Sequence, residues 1–350
     1  MRVRGQPLLL AALALCNLSI LPKQPALQPP SRFVQRAGER LLRHNQDFRF
    51  VGVNCYRLAE RVEERDDILQ TLAAHGVKVV RFWAFQKHCG PTGLDFRRFD
   101  LLLEAAKQHD VLLLPVLENH WGACTYGPEI KGREWYESGW RTDRHGPRPY
   151  LEYIRALAAH WRDEPQVLAW QLVNEPEVYP DTKENYAVLR KFATDAAGEV
   201  KRMDPNHLVS LGLLGLGQPA TAEKRFRSLH DTVQIDLVSA HDHGYIFEPM
   251  PGRDAPRPAN SFYADLLAAR WLRKPFLATE SCVPLPWVGG NSHKRVELFR
   301  AKLDAFFAGG GDGYILWNYE PEIESECGFD EDDPVLALLK EFASDLQQMP

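Results

Sequence analysis

Two apolar runs in this 350-residue chain close on a glutamate. Ala169-Trp-Gln-Leu-Val-Asn-Glu-Pro176 is apolar up to Val173 except at Gln171, then turns polar at Asn174 and Glu175. That is how a strand covered on both faces reads, and Pro176 ends it because proline has no N–H to give to a ladder. Lys274-Pro-Phe-Leu-Ala-Thr-Glu280 has the same form. A lone loop carboxylate is commonplace. Two of them at strand ends of one barrel can face each other across a sugar-sized cleft, which is what glycoside hydrolysis needs. With retention of configuration, one protonates the departing oxygen and the other attacks the anomeric carbon, about 5–5.5 Å away. The two must titrate differently. Arg81 and Tyr245 are donors that can keep Glu280 ionised, which leaves Glu175 as the group held protonated.

Such a pair needs a scaffold that aligns strand ends. Extended runs at 33–34 and 41–42 read as a small hairpin that plugs a barrel's bottom. Strand patterns then follow at 48–54, 77–85, 111–117, 167–173, 208–214, 235–241, 275–280 and 314–317. Amphipathic helices alternate with them, as in 62–75, which Gly76 ends, and in Phe96, Phe99, Leu103 and Ala106. Eight of each predict a (β/α)8 TIM barrel with a short N-terminal β-hairpin, as one domain over 31–350. A doubly wound open sheet would leave edge strands, and no Gly-rich phosphate fingerprint follows any strand.

In such a barrel, the C-terminal strand ends line the active face. They carry Asn54, Arg81, His120 with Trp121, Asn174 with Glu175, His241 with His243 and Tyr245, Glu280, and Trp317 with Tyr319. The long loop to about 148 adds Tyr126, Trp135, Tyr136 and Trp140, flat faces that suit the C–H faces of sugars or serve as core. Hydrophobic residues at 45% and charged residues at 25% give a globular chain with a sizeable core. A net charge of −5 with interspersed signs argues against nucleic acid or an anionic membrane as partner.

Residues 1–30 read as a signal or anchor segment with a Pro-rich linker. Arg2 and Arg4 precede an apolar run of roughly fourteen residues, short of the about twenty a membrane span needs. The chain is therefore expected to be exported, to the periplasm or outside, with retention through this segment as the alternative. Beyond Cys16 there are five cysteines, Cys55, Cys89, Cys124, Cys282 and Cys327, enough for one or two disulfides with at least one thiol left over.

Taken together, Asn174-Glu175-Pro176, Arg81-Phe-Trp83, the histidine closing the sixth strand, Thr279-Glu280 and Trp317 resemble glycoside hydrolase family five. Val80-Arg-Phe-Trp-Ala-Phe85 and Glu118-Asn-His-Trp121 bring the chain nearest its β-mannanases and mannosidases. The resemblance implies Glu175 as acid/base, Glu280 as nucleophile, Asn174 at the sugar 2-hydroxyl, Arg81 behind the nucleophile and Trp317 under the attacked sugar. Trp83, His120, Trp121, His241, His243 and Tyr245 would complete the substrate-binding set. The family pattern after the sixth strand is His-x-Tyr, whereas this chain has His241-Asp-His243-Gly-Tyr245. Either His243 and Tyr245 match it, or His241 matches and His243 stands in for the tyrosine. His241 lies nearer the apolar run and is favoured as the cleft histidine.

The reading is a metal-independent, cofactor-free, monomeric retaining hydrolase of a β-linked polysaccharide or oligosaccharide, with β-1,4-mannan preferred. A β-1,4-glucanase is the alternative. Two further rivals are a barrel that activates water on zinc held by His241, His243 and His120, and a carbohydrate-binding barrel without catalysis.

Overall fold

A computed structural model describes residues 31–347, apart from 128, 216, 222, 223, 244, 245 and 255–260. The segment expected to target the chain, and Tyr245, therefore lie outside the described residues.

The N-terminal sheet is antiparallel: β1 (Gln35–Ala37), β2 (Arg40–Arg43) and β3 (Gln46–Asp47). The expected hairpin thus has a third strand, folded back through His44 and Asn45, both at positive φ. Eight parallel strands follow: β4 (Phe50–Asn54), β5 (Val79–Trp83), β6 (Leu112–Val116), β7 (Ala169–Gln171), β8 (Leu208–Ser210), β9 (Val238–Asp242), β10 (Phe276–Ser281) and β11 (Gly313–Leu316). Their order is β8-β7-β6-β5-β4-β11-β10-β9, and a parallel bridge from Ser210 to Leu237 brings the two outer strands together. The result is the expected TIM barrel.

Strands run shorter than their apolar runs because the barrel's ladder ends where the chain turns toward the loops. Helices start where capping side chains permit. Thr182, Ser261, Asn291 and Asp333 accept backbone N–H bonds at the heads of Lys183–Met203, Phe262–Leu272, Ser292–Ala308 and Pro334–Leu346. Gly76 follows helix Arg65–Ala74 at φ +78°, where a Cβ would lie 2.6 Å from that of Ala343. Glycine alone suits that packed left-handed position.

Side-chain alternation sorts each barrel strand into two layers. Val34, Leu41, Phe50, Val79, Leu112, Leu168, Leu277 and Ile315 fill the lower barrel, with Leu41 of the N-terminal sheet among them. The outward set, among them Val51, Val80, Leu113, Trp170 and Tyr314, packs under the helices. Burying each large apolar side chain contributes about 1.5–3 kcal/mol, so the site above stands on a rigid base.

Asp312 joins sheet and barrel, accepting N–H bonds from Leu41 (3.1 Å) and Phe276 (3.0 Å). Burial pushes its carboxyl up to about 7 despite those bonds. A pKa raised on folding stabilises below the unfolded value, near 3.9, and that contribution is lost as pH climbs through 7. Asp312→Asn should therefore gain on the wild type between pH 5 and pH 8, by at most about 2.5 kcal/mol. Urea midpoints at both pH values check this, and an unchanged difference would contradict it.

Candidate active site

Arg81 is the hub around which the upper barrel is built. It is fully buried, and a buried guanidinium persists only if its donors are used. Nε donates to Gln171 Oε1 (2.7 Å), Nη1 to Asn54 Oδ1 (2.8 Å) and Glu280 Oε1 (2.5 Å), and Nη2 to Asn174 Oδ1 (2.6 Å). Asn54 is held in turn by donating to the carbonyls of Thr279 and Leu316. Gln171, the one polar interruption in its run, is thereby explained. Asn119 accepts from Asn174 Nδ2 at 3.2 Å. Neither Gln171 nor Asn119 is singled out by the sequence as a site residue, and only the polarity of Gln171 among apolar neighbours signals it.

Glu280 reaches the cleft through a bulge. Ala278 pairs with Ala240, but Glu280 pairs with His241, so Thr279 is the extra residue. Strict alternation from Leu277 and Ala278 would turn Glu280 toward the helices, and the bulge turns it inward. Its second oxygen, Oε2, lies 3.0 Å from His243 Nε2 and 3.6 Å from His241 Nδ1. Burial raises the Glu280 carboxyl, but His241, Arg81 and His243 together hold it down at about 2. This carboxylate is ionised at any working pH.

Glu175 sits at φ +51°, a left-handed conformation rare for residues with a Cβ. Its N–H donates to Gly212 O (2.8 Å) and its carbonyl accepts from Gln218 Nε2 (2.9 Å). A Cβ on Gly212 would lie 2.1 Å from Val173 O, so only glycine allows that approach. The carboxylate meets His241 Nδ1 at 2.7 Å on Oε1 and accepts from Trp121 Nε1 at 2.5 Å on Oε2. Here the structure corrects the sequence reading. Burial pushes the Glu175 carboxyl up, yet the hydrogen bond and charge of His241 outweigh it and hold the carboxyl below the ordinary range. The nearby Glu280 charge works the other way and raises it.

Both open histidine assignments turn out to reach the glutamates. His241 lies on β9 and His243 directly follows its last residue, Asp242, so the strand's alternation brings both to one face. His241 is fully buried against Glu175, and His243 is the donor on Glu280. Burial lowers the His243 imidazole, but Glu280, Glu175 and Asp242 raise it above its usual value.

One side-chain oxygen or nitrogen from each of Glu175, His241, His243 and Glu280 lies within 4.8 Å of the others, and these are the described residues grouped so as to ligate a metal. Their spacing suits hydrogen bonds better. Zinc bonds of about 2.0–2.1 Å in a tetrahedron separate ligands by about 3.3 Å, whereas His241 Nδ1 and Glu175 Oε1 are 2.7 Å apart. Arg81 also already occupies Glu280 Oε1. His120 is elsewhere, buried with Nδ1 at 2.9 Å from the Tyr136 hydroxyl and its ring against Trp121. Burial and Lys131 push its imidazole down to about 4, so it is neutral.

Trp317 stacks on Tyr56 at 5.2 Å and lies 5.8 Å from Trp83. Trp83 is buried between Trp317 and Phe85, with the Arg81 guanidinium 4.9 Å from its ring centre. It supports the wall more than it forms it, and Tyr56 joins the site unanticipated. In the long loop, Trp121 and Tyr126 are exposed, but Trp135, Tyr136 and Trp140 are buried against Phe192 in a short helical segment. Aromatic content alone does not distinguish platform from core.

The family described as GH family 5 beta-mannosidase-like matches residues 154–245. The mannan endo-1,4-beta-mannosidase A of Hypocrea jecorina is 28% identical over 246 residues, covering 62% of this chain and 54% of that protein. The chain spans about half the length of the curated relatives it matches, 41% to 54% for the first of them. Among solved structures, the endo-1,4-beta-mannanase of Rhizomucor miehei superposes with a TM-score of 0.70 at 17% identity, covering 90% of this chain and 99% of that one. The hyperthermostable endo-1,4-beta-D-mannanase of Thermotoga petrophila gives 0.67 at 22%, covering 85% and 99%. At such identities the superpositions speak for the fold. In sequence the chain is similar to the β-mannanase and β-mannosidase-like proteins of glycoside hydrolase family 5, and it folds into the same barrel.

Proposed function

We propose that this chain is a retaining β-glycosidase that cleaves β-1,4-linked mannan or manno-oligosaccharides. The observation that carries the reading is the closeness of two differently partnered carboxylates, with oxygens of Glu175 and Glu280 within 4.8 Å. Retaining enzymes place the two groups about 5–5.5 Å apart, and inverting ones leave about 6.5–9.5 Å for a water. The relatives' names, mannan endo-1,4-beta-mannosidases, favour mannan over glucan.

In the first step Glu280, ionised and fixed by Arg81 and His243, attacks the anomeric carbon while the leaving oxygen takes a proton. Glu175, whose Oε1 lies 2.7 Å from His241 Nδ1, is the group placed to give that proton. Esterification then removes the Glu280 charge that raises Glu175. Glu175 drops further and becomes the base that draws a proton from water in the second step. Trp317, backed by Tyr56 and Trp83, is the floor for the attacked sugar. The Cys282–Cys327 disulfide, Cα atoms 5.5 Å apart, suits an oxidising compartment and supports export.

Product ladders from mannohexaose and cellohexaose test the substrate. Internal cleavage of mannohexaose, undiminished by EDTA, is expected. Preference for cellohexaose would favour the glucanase reading, and a large loss in EDTA would favour a metal.

A further inference from the structure

The inward residues of β9 and β10 are the site, and their outward neighbours form a second polar cluster behind it. Asp242 follows His241 and precedes His243, so alternation turns it away from the cleft. Ser281 follows Glu280 and pairs in register with Asp242, one step past the bulge. The Tyr314 hydroxyl, fully buried on β11, bridges them at 2.7 Å from Asp242 Oδ2 and 2.8 Å from Ser281 Oγ. Lys302, on helix Ser292–Ala308, donates to both Asp242 oxygens at 3.1 and 3.0 Å and to the Glu248 carbonyl at 3.1 Å. Asp242 and Lys302 are each 1% exposed.

We propose that Asp242, Lys302 and Tyr314 are positioning residues that lock β9 against the bulged β10, and so set His241 and His243 against Glu175 and Glu280. The inference rests on the glycosidase reading and deepens it. A bulge inserts a residue that a slip could remove, and a one-residue slip turns every side chain to the other face. Ser281 and Asp242 are the first pair beyond Thr279, where a slip would show, and they are the pair the tyrosine joins. One ammonium also ties Asp242, the residue before His243, to the Glu248 carbonyl. A buried ion pair adds little net stability over apolar side chains of the same size, so its worth here is geometric.

Tyr314→Phe removes one hydroxyl and no volume. It should lower kcat by about 10- to 100-fold on mannohexaose with KM within about twofold, as sub-ångström misplacement of reacting groups does. Asp242→Asn combined with Lys302→Met leaves no lone buried charge and should do the same. The charged and titratable groups around the His243 ring are Glu280, Glu175 and His241 in the cleft, Arg81 beyond Glu280, and Asp242 with Lys302 behind. A shifted ring therefore meets a different field, and its NMR titration midpoint should move in both variants, with the alkaline limb of the rate profile moving alongside. Folded variants with wild-type kcat, pH profile and His243 titration would overturn the proposal. A wild type inactive on every β-glycoside would sink the glycosidase reading instead, and the NMR titration would still decide the tie.

Discussion

Glu280→Ala is expected to lower turnover of mannohexaose by on the order of 10⁵-fold, because the other carboxylate of the cleft, Glu175, is tied to His241 and Trp121 in the acid/base role and does not replace the nucleophile. Arg81 and His243 converge on this carboxylate, at 2.5 and 3.0 Å, and hold it in place. The variant should also melt earlier. Removing one partner of a buried pair costs about 3–5 kcal/mol, since Arg81 would keep its charge without its carboxylate. Glu280→Gln keeps the shape and returns an acceptor to Arg81 without the charge, which separates the effects: part of the stability recovers, turnover does not. Retention of more than about 1% of wild-type kcat in a clean preparation would show that another residue attacks.

Glu175→Ala should behave differently on different substrates. Proton donation contributes about 10²–10⁴-fold when the leaving group is a sugar alkoxide, and little when it is a stable phenolate. Hydrolysis of mannan should fall by that factor. An activated aryl mannoside should still glycosylate Glu280 quickly, then stall because no base activates water, giving a burst of phenolate. His241 and Trp121 would lose their shared acceptor. An equal loss on both substrate kinds would show that Glu175 is not the acid.

The parts of this site that are readable in advance are those that break an apolar run. Glu175 and Glu280 end buried strands, and Gln171 interrupts one, so each stands out against a pattern with a known period. Residues that break no pattern stay hidden. Lys302 sits in a helix rich in charge, and Asp242 lies between two histidines that draw attention first, yet both are buried against each other. The histidine ambiguity comes from treating His241 and His243 as competitors. His243 follows the strand's last residue and keeps its alternation, so both reach the glutamates. The state of Glu175 was out of reach because it depends on His241 at 2.7 Å, from a strand 66 positions away in the chain. A count of cysteines likewise allowed several pairings, and only geometry joins Cys282 to Cys327 while leaving Cys55, Cys89 and Cys124 free. The bulge at Thr279 leaves no trace in composition, although the direction of Glu280 depends on it.

The most direct measurement is to react the protein with a 2-fluoro mannoside carrying a good leaving group and to locate any adduct by peptide mass mapping. The fluorine slows both formation and release of the glycosyl ester, and the good leaving group restores formation alone, so the intermediate should accumulate as one 2-deoxy-2-fluoromannosyl group on Glu280. An adduct on another residue, or active protein that releases inverted product with no adduct, would contradict the two-glutamate account.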